Sequence, residues 1–196
     1  ISQVNKGIVS VSHNATSNKK IKVMIAKASE KYTYDLNSTG QFPLQMGNGE
    51  YTITVLENID GKQYKVIDTK NVNLQAVDKN ASFLQSTEVV NWNDNMKAIK
   101  KAKELTINAK TDKEKASLIY NYVSKNIKYD YNKANGVETG YIPSIDTVLS
   151  TSSGTCYDYS VLYAAMLRSV GVPTKMLMGY NKDIKEYHAW NEVYLS

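Results

Sequence analysis

The sequence predicts an α+β protein: an all-β, sandwich-like domain over residues 1–75, a connector over 76–93, and an α+β domain over 94–196. Two observations carry this reading. Apolar and polar residues alternate with period two through the first 75 residues. From about residue 93 apolar residues recur at helical spacing instead, and only the last 25 residues return to short apolar runs.

The alternation is plain in GIVSVSH and KIKVMIAKA. GEYTITVLE follows a Gly-Asn-Gly turn, and IDGKQYKVID sets an Asp-Gly hairpin signal between apolar runs. Gly, Pro and Asn punctuate residues 34–51 as a loop. Several short strands at this spacing fit a small β-sandwich.

Beyond the connector, Met96, Ile99, Ala102 and Leu105 form one helical stripe. Thr111 and Glu114 stand in capping-box spacing ahead of a second stripe, Ala116, Ile119, Tyr120, Val123 and Ile127, so a helix is expected from Thr111 to about Tyr129. A loop is expected over 132–140, and residues 141–155 read mostly as loop with a short apolar turn around Ile145 and Val148. A third helix of about 15 residues starts at Cys156, carries Val161, Leu162, Ala165, Met166 and Val170, and stops at Gly171 with Pro173 beyond. TKMLMGY and YHAWNEVYL then read as two strands joined by a loop, NKDIKE.

Composition excludes several classes. No run approaches the roughly 18 apolar residues of a membrane span, and the opening ISQVNKGIVS lacks a charged-then-apolar leader, as in a cytosolic chain or a mature chain freed of its signal. The net charge of +5 is almost wholly lysine, with Arg168 the only arginine. Nucleic-acid readers usually need arginine forks, so no nucleic-acid partner is expected, and weak attraction to acidic polymers such as a bacterial wall is all the charge supports. One cysteine permits no intrachain disulfide. With His13 and His188 the only histidines, neither a metal site nor another cofactor is expected.

A lone cysteine is more often a small buried hydrophobe than a nucleophile. Cys156 differs by position. The free amides and macrodipole at a helix N-terminus favour a thiolate, and the same amides can receive the oxyanion of a tetrahedral intermediate. Gly154 and Thr155 just before it would let the backbone turn tightly and aim the sulfur at a cleft. A thiol nucleophile also needs a base. His188 lies 32 residues later on an expected strand, with Trp190 and Glu192 on its own face and Ala189, Asn191 and Val193 on the other. A lone histidine on a strand is more often structural than catalytic, and spacing alone favours the structural reading by about two to one.

The segments GTCYDYSVLYAAMLRSVGVPTKMLMGY and YHAWNEVYL closely resemble the bacterial transglutaminase-like superfamily, and PSIDTVL at 143–149 resembles that family's lead-in. Gly154, Cys156, Arg168, Gly171, Pro173, Gly179, Tyr180 and His188 to Val193 each match its pattern, within a resemblance of about 85 residues over 111–195. The resemblance implies a papain-like fold core and thiolate attack on a carboxamide or peptide carbonyl of a protein or peptide. It implies Cys156 as nucleophile, His188 as general base and acid, and the Cys156 amide as an oxyanion donor, with the sulfur within about 4 Å of the imidazole. Trp190 and Tyr157 either line the cleft or pack in the core; Arg168 and Asp158 hold structure. The family's third catalytic residue follows the histidine strand and is expected beyond Ser196. Asp183, Glu186 and Asp158 are no evident replacement.

Crosslinking transferases, peptidases and peptide N-glycanases share this family, and the sequence does not separate hydrolysis from transfer; the zinc-binding paired cysteines of the N-glycanases are missing here. A non-catalytic cell-surface or binding module retaining the fold is the alternative. An arylamine acetyl-transferring enzyme shares the Cys–His logic but fits the HAWNEV strand less well. A β-sandwich ahead of such a domain, with much Lys, Asn and Tyr, resembles exported Gram-positive proteins, which makes an extracellular or surface location the expectation.

Overall fold

The computed structural model describes residues 3–14, 19–138, 140–182 and 184–196. The chain divides into two compact units, Ile1–Glu88 and Val89–Ser196.

The first unit is built from β1 (Ile8–Ser12), β2 (Ile21–Lys27), β3 (Glu30–Leu36), β4 (Thr39–Pro43), β5 (Gly49–Asp60) and β6 (Gln63–Leu74). All pairings among them are antiparallel: β1 with β4, and a four-stranded sheet in the order β3-β2-β5-β6. The period-two pattern has its physical outcome in β2, where Ile21, Val23 and Ile25 are buried and the residues between them are not. These side chains share one core with Tyr51, Ile53 and Val55 of β5, Phe42 of β4 and Val9 of β1. A core enclosed between two sheets is the sandwich-like arrangement that the alternation implied. Each such fully buried side chain contributes about 1.5–3 kcal/mol. Tyr51 is fully buried and satisfies its hydroxyl locally, donating to the Gly47 carbonyl at 2.6 Å and accepting from the Met46 amide at 2.9 Å. Gly61, at φ +49°, turns the β5–β6 hairpin in the left-handed region that the Asp-Gly pair favours. A short 3-10 turn, Ala81–Leu84, with Phe83 buried, also belongs to this unit.

The second unit runs α1 (Lys97–Thr106), α2 (Asp112–Asn126), β7 (Lys128–Tyr129), α3 (Tyr131–Ala134), α4 (Ile145–Thr151), β8 (Ser153–Gly154), α5 (Cys156–Ser169), β9 (Thr174–Asn181) and β10 (Ile184–Val193). Its centre is α5. Val161, Leu162, Ala164, Ala165, Met166 and Leu167 are all fully buried, so apolar residues face inward around nearly its whole circumference. Helices α1, α2 and α4 and the antiparallel β9–β10 hairpin pack around it. The helix closes as Gly171 adopts φ +83° and the Val172 amide returns to the Leu167 carbonyl. Arg168 is buried, and its Nε donates to the Thr174 carbonyl at 2.9 Å, tying the end of α5 to the start of β9.

Several boundaries differ from the sequence reading. Helix α2 stops at Asn126, because Ile127 is buried and its carbonyl accepts the Tyr159 hydroxyl, while Lys128 and Tyr129 pair in parallel with Ser153 and Gly154. The apolar turn at 145–151 is the helix α4. Its Asp146 carboxylate accepts from the amides of Lys97 and Ala98 at 3.0 and 2.9 Å, capping α1 from 48 residues away. The strands of the hairpin take up most of NKDIKE, and the loop at 132–140 opens with α3. Among the described residues no helix is long and apolar enough to cross a membrane.

The apolar clusters of the two units share no residue. Residues 89–196 expressed alone are therefore expected to unfold in one cooperative thermal transition followed by circular dichroism. A fragment that shows only a featureless, non-cooperative melt would mean that the α5 core depends on the first 88 residues.

Candidate active site

Cys156 is the first residue of α5 and is half-buried, so its sulfur is neither lost in the core nor fully in solvent. Thr155 ahead of it is extended, at φ −86° and ψ 177°. The tight approach at this corner comes from Asp158. A Cβ placed on Gly154 would lie 2.6 Å from the Asp158 Cβ, a separation real atoms do not adopt. The glycine is thus required for close packing against a side chain, whereas the sequence suggested a tight backbone turn; its φ is not in the left-handed region.

Asp158 is completely buried and accepts four hydrogen bonds. One oxygen takes the Thr155 amide at 2.7 Å and the Thr155 hydroxyl at 2.9 Å; the other takes the Tyr141 hydroxyl at 2.6 Å and the Lys133 Nζ at 2.8 Å. Burial alone would push the carboxyl up, but the hydrogen bonds from Lys133, Tyr141 and Thr155 together outweigh it and hold the group below the usual carboxylate range. Burial likewise works against the Lys133 ammonium, and its bonds to Asp158 and Tyr141 leave it above its ordinary value. A buried charge so close to a nucleophile is tolerated because it is paired and fully hydrogen-bonded.

A residue the sequence did not single out stands beside the start of α5. Tyr129 of β7 stands in register with Gly154 of β8, two residues before Cys156. Burial raises its phenol above the ordinary value, and the negative charge that Cys156 and Glu186 can carry adds to the rise, as does Tyr131. The Cys156 backbone amide pulls the other way. One ring therefore responds to charge at the start of α5 and on β10. Only the two-residue parallel pairing places it there, and no periodicity in the sequence announces so short a strand.

His188 is half-buried on β10 opposite Gly179 of β9. The neighbouring Ala189 is buried, Val193 packs on the α5 core, and the Asn191 side-chain amide donates to the Ser160 carbonyl of α5 at 3.0 Å. Asn191 therefore ties strand to helix on the side opposite His188. Tyr187 lies near enough to Tyr157, and Glu186 to Tyr129, for each pair to interact electrostatically. The stretch of β10 leading into His188 thus adjoins the start of α5. Among the described residues no hydrogen bond joins sulfur and imidazole; resting acid–base sites commonly tighten only on the substrate.

Trp190 is half-buried, its six-membered ring edge set over Gly179 at 3.5 Å from where a Cβ would be. Tyr157 does double duty: it packs on the α5 core and meets Tyr141 edge-to-face at 6.2 Å. Burial, then Tyr141, Asp158 and Tyr187, push its phenol up to about 12. Asp183 lies outside the described residues. Among the described residues no three His, Cys, Asp or Glu side chains converge to hold a metal ion.

Residues 99–196, half of the chain, match the family model of the transglutaminase-like superfamily, and the protein belongs to that superfamily. Its sequence is 36% identical over 106 residues to the UPF0252 protein MJ1282 of Methanocaldococcus jannaschii, an alignment covering 47% of this chain and 30% of that protein. The chain therefore spans under a third of that relative's length. Among solved structures, a candidate cysteine protease from Cytophaga hutchinsonii superposes with a TM-score of 0.52 at 14% identity, over 95% of this chain and 75% of its own. That likeness shows the fold, an α+β chain whose β region comes first in sequence. A second structure, of a candidate protease from Parabacteroides distasonis ATCC 8503, aligns at a TM-score of 0.41 and 18% identity over 92% of this chain and 35% of its own.

The Asp158 cluster makes two predictions. Asp158→Ala leaves Lys133 without its carboxylate and Thr155 without its cap, and is expected to cost about 3 kcal/mol in chemical denaturation. Because folding lowers the Asp158 pKa, its contribution is complete above the unfolded carboxylate value and is lost as pH falls through the folded one. The wild-type protein should lose more stability than Asp158→Asn on acidification below about pH 4. Parallel pH dependences in the two proteins would contradict this.

Proposed function

We propose that the second unit is a cysteine-dependent hydrolase or acyltransferase acting on amide or peptide bonds of a protein or peptide, with Cys156 as nucleophile and His188 as general base and acid. The observation that carries this reading is the half-buried cysteine on the first turn of a core helix, beside the strand segment leading into His188, within the half of the chain that matches the superfamily.

The Cys156 sulfur, its proton taken by His188, attacks the substrate carbonyl carbon. The carbonyl π electrons move to oxygen, and the Cys156 amide N–H can donate a hydrogen bond to the oxyanion. The C–N bond then breaks, the amine leaves with the proton from His188, and a thioester remains on Cys156. Water or a second amine resolves it, giving hydrolysis or transfer. Tyr129, in register with Gly154, stands beside the start of α5. From there its phenol hydroxyl can donate to an arriving oxyanion. Tyr129 is thus a second oxyanion donor in this reading.

Cys156→Ala is expected to abolish release of amine from a peptide amide, and His188→Ala to reduce it by about 10³-fold or more, the scale on which such pairs act. Tyr129→Phe is expected to lower kcat by about 10–100-fold with KM little changed, at the lower end for one oxyanion donor. Steady-state kinetics on the purified chain test all three. Turnover unaffected by Cys156→Ala would return the domain to a non-catalytic binding role.

A further inference from the structure

Six tyrosines of the second unit form three edge-to-face pairs. Tyr129 and Tyr131 lie with ring centroids 4.9 Å apart at 60°, Tyr141 and Tyr157 at 6.2 Å and 83°, and Tyr180 and Tyr187 at 5.3 Å and 71°. Each pair has a member beside the proposed site: Tyr129 stands in register with Gly154, Tyr157 follows Cys156, and Tyr187 precedes His188. Four of these rings are strongly exposed, Tyr131 at 75%, Tyr180 at 76%, Tyr187 at 54% and Tyr129 at 40%. They come from two arms. Tyr129 and Tyr131 stand on β7 and α3, and Tyr180 and Tyr187 face each other near the end of the β9–β10 hairpin.

Exposed aromatic rings gathered beside a nucleophile, rather than scattered singly, mark a binding surface. Tyrosine gives rigid, wide contact area at low entropic cost and keeps a polar tip for solvent or a peptide backbone. The phenols of Tyr129, Tyr141 and Tyr157 are all raised by burial, so these three stay neutral throughout the physiological range. Lys133, whose ammonium lies 4.5 Å from the Tyr141 ring centroid, is committed to Asp158 and is not left to select an acidic substrate.

Resting on the thiol reading above, we infer that the tyrosine pairs are the side-chain subsites of an extended peptide substrate, and that they select aromatic or branched aliphatic residues flanking the attacked carbonyl. The reacting bond fixes the centre of the ligand as an amide at Cys156. Its neighbours are then peptide residues, which the rings on β7–α3 and on the hairpin receive on the two sides. Aromatic-lined grooves receive extended peptides in this way, through ring contacts with a few alternate side chains.

The test separates binding from chemistry. Full-chain Cys156→Ala, which cannot form the thioester, is titrated with fluorescein-labelled peptides of the form Gly-Gly-X-Gly-Gly, with X as Phe, Leu, Gly, Asp or Lys, and read by polarisation. Phe and Leu peptides are expected to bind about tenfold tighter than Gly, Asp or Lys peptides, the scale of one or two aromatic contacts. Tyr131→Ala and Tyr187→Ala should each remove most of that preference without changing the Gly peptide's affinity. Equal affinities across the series, tightest binding of the Asp or Lys peptide, or a Phe preference untouched by both substitutions would overturn the inference. A Phe preference in Cys156→Ala, together with peptide-amide turnover that does not need Cys156 in the parent chain, would uphold the subsites and reject the thiol reading.

Discussion

The arrangement around Cys156 depends on one buried charge. Asp158 sits in the first turn of α5 with no exposed surface, and its four hydrogen bonds reach the residue before the cysteine, Lys133 of α3 and Tyr141 of the loop that follows α3. An ionised carboxylate there would be expensive unless every lone pair were used and a cation stood against it. Meeting that demand organises the neighbourhood. Thr155 caps the helix, Gly154 stays bare of a Cβ to let the carboxylate in, and Lys133 and Tyr141 fold over the helix start. The charge is also consistent with thiol chemistry beside it. A bare carboxylate at the third helical residue would repel a thiolate at the first, and the Lys133 ammonium offsets it.

The second organising contact is the short parallel pairing of β7 with β8. It brings the chain from the end of α2 back to Gly154, and so sets Tyr129 beside the start of α5. The Tyr159 hydroxyl, one turn into α5, fixes the same junction by donating to the Ile127 carbonyl. On the opposite side of α5, Asn191 and Ala189 seat β10 on the helix. The helix start is therefore held from both sides by hydrogen bonds to backbone, the kind of support a positioned nucleophile requires.

What the sequence made legible was local. The Thr111–Glu114 capping box, the stop at Gly171 and Pro173, the alternation in β2 and the cysteine at a helix start are each encoded within a few residues, and each appears in the structure. What it hid was long-range. Helix α4 is short and was read as a turn, and its Asp146 acts as a cap for a helix 48 residues earlier. Tyr129 and Lys133 gain their meaning from partners 27 and 25 positions away in the chain, Cys156 and Asp158, and neither carries a periodic signal. The role of Gly154 was misplaced for the same reason: a steric constraint from a side chain four residues on reads, in sequence, like a turn. The motif match located the candidate cysteine and histidine, and the packing explains why one side chain after another is needed to hold the cysteine.

The central claim is that Cys156 forms a covalent acyl intermediate in the folded site. Its most direct measurement is peptide mapping by mass spectrometry after brief incubation with an activated peptidyl ester and an acid quench. The account predicts a single acyl group on Cys156, absent after denaturation of the protein beforehand and removed within the reaction by added hydroxylamine. Acylation spread over surface lysines with Cys156 unmodified, or equal labelling of Cys156 in the folded and denatured chain, would contradict it.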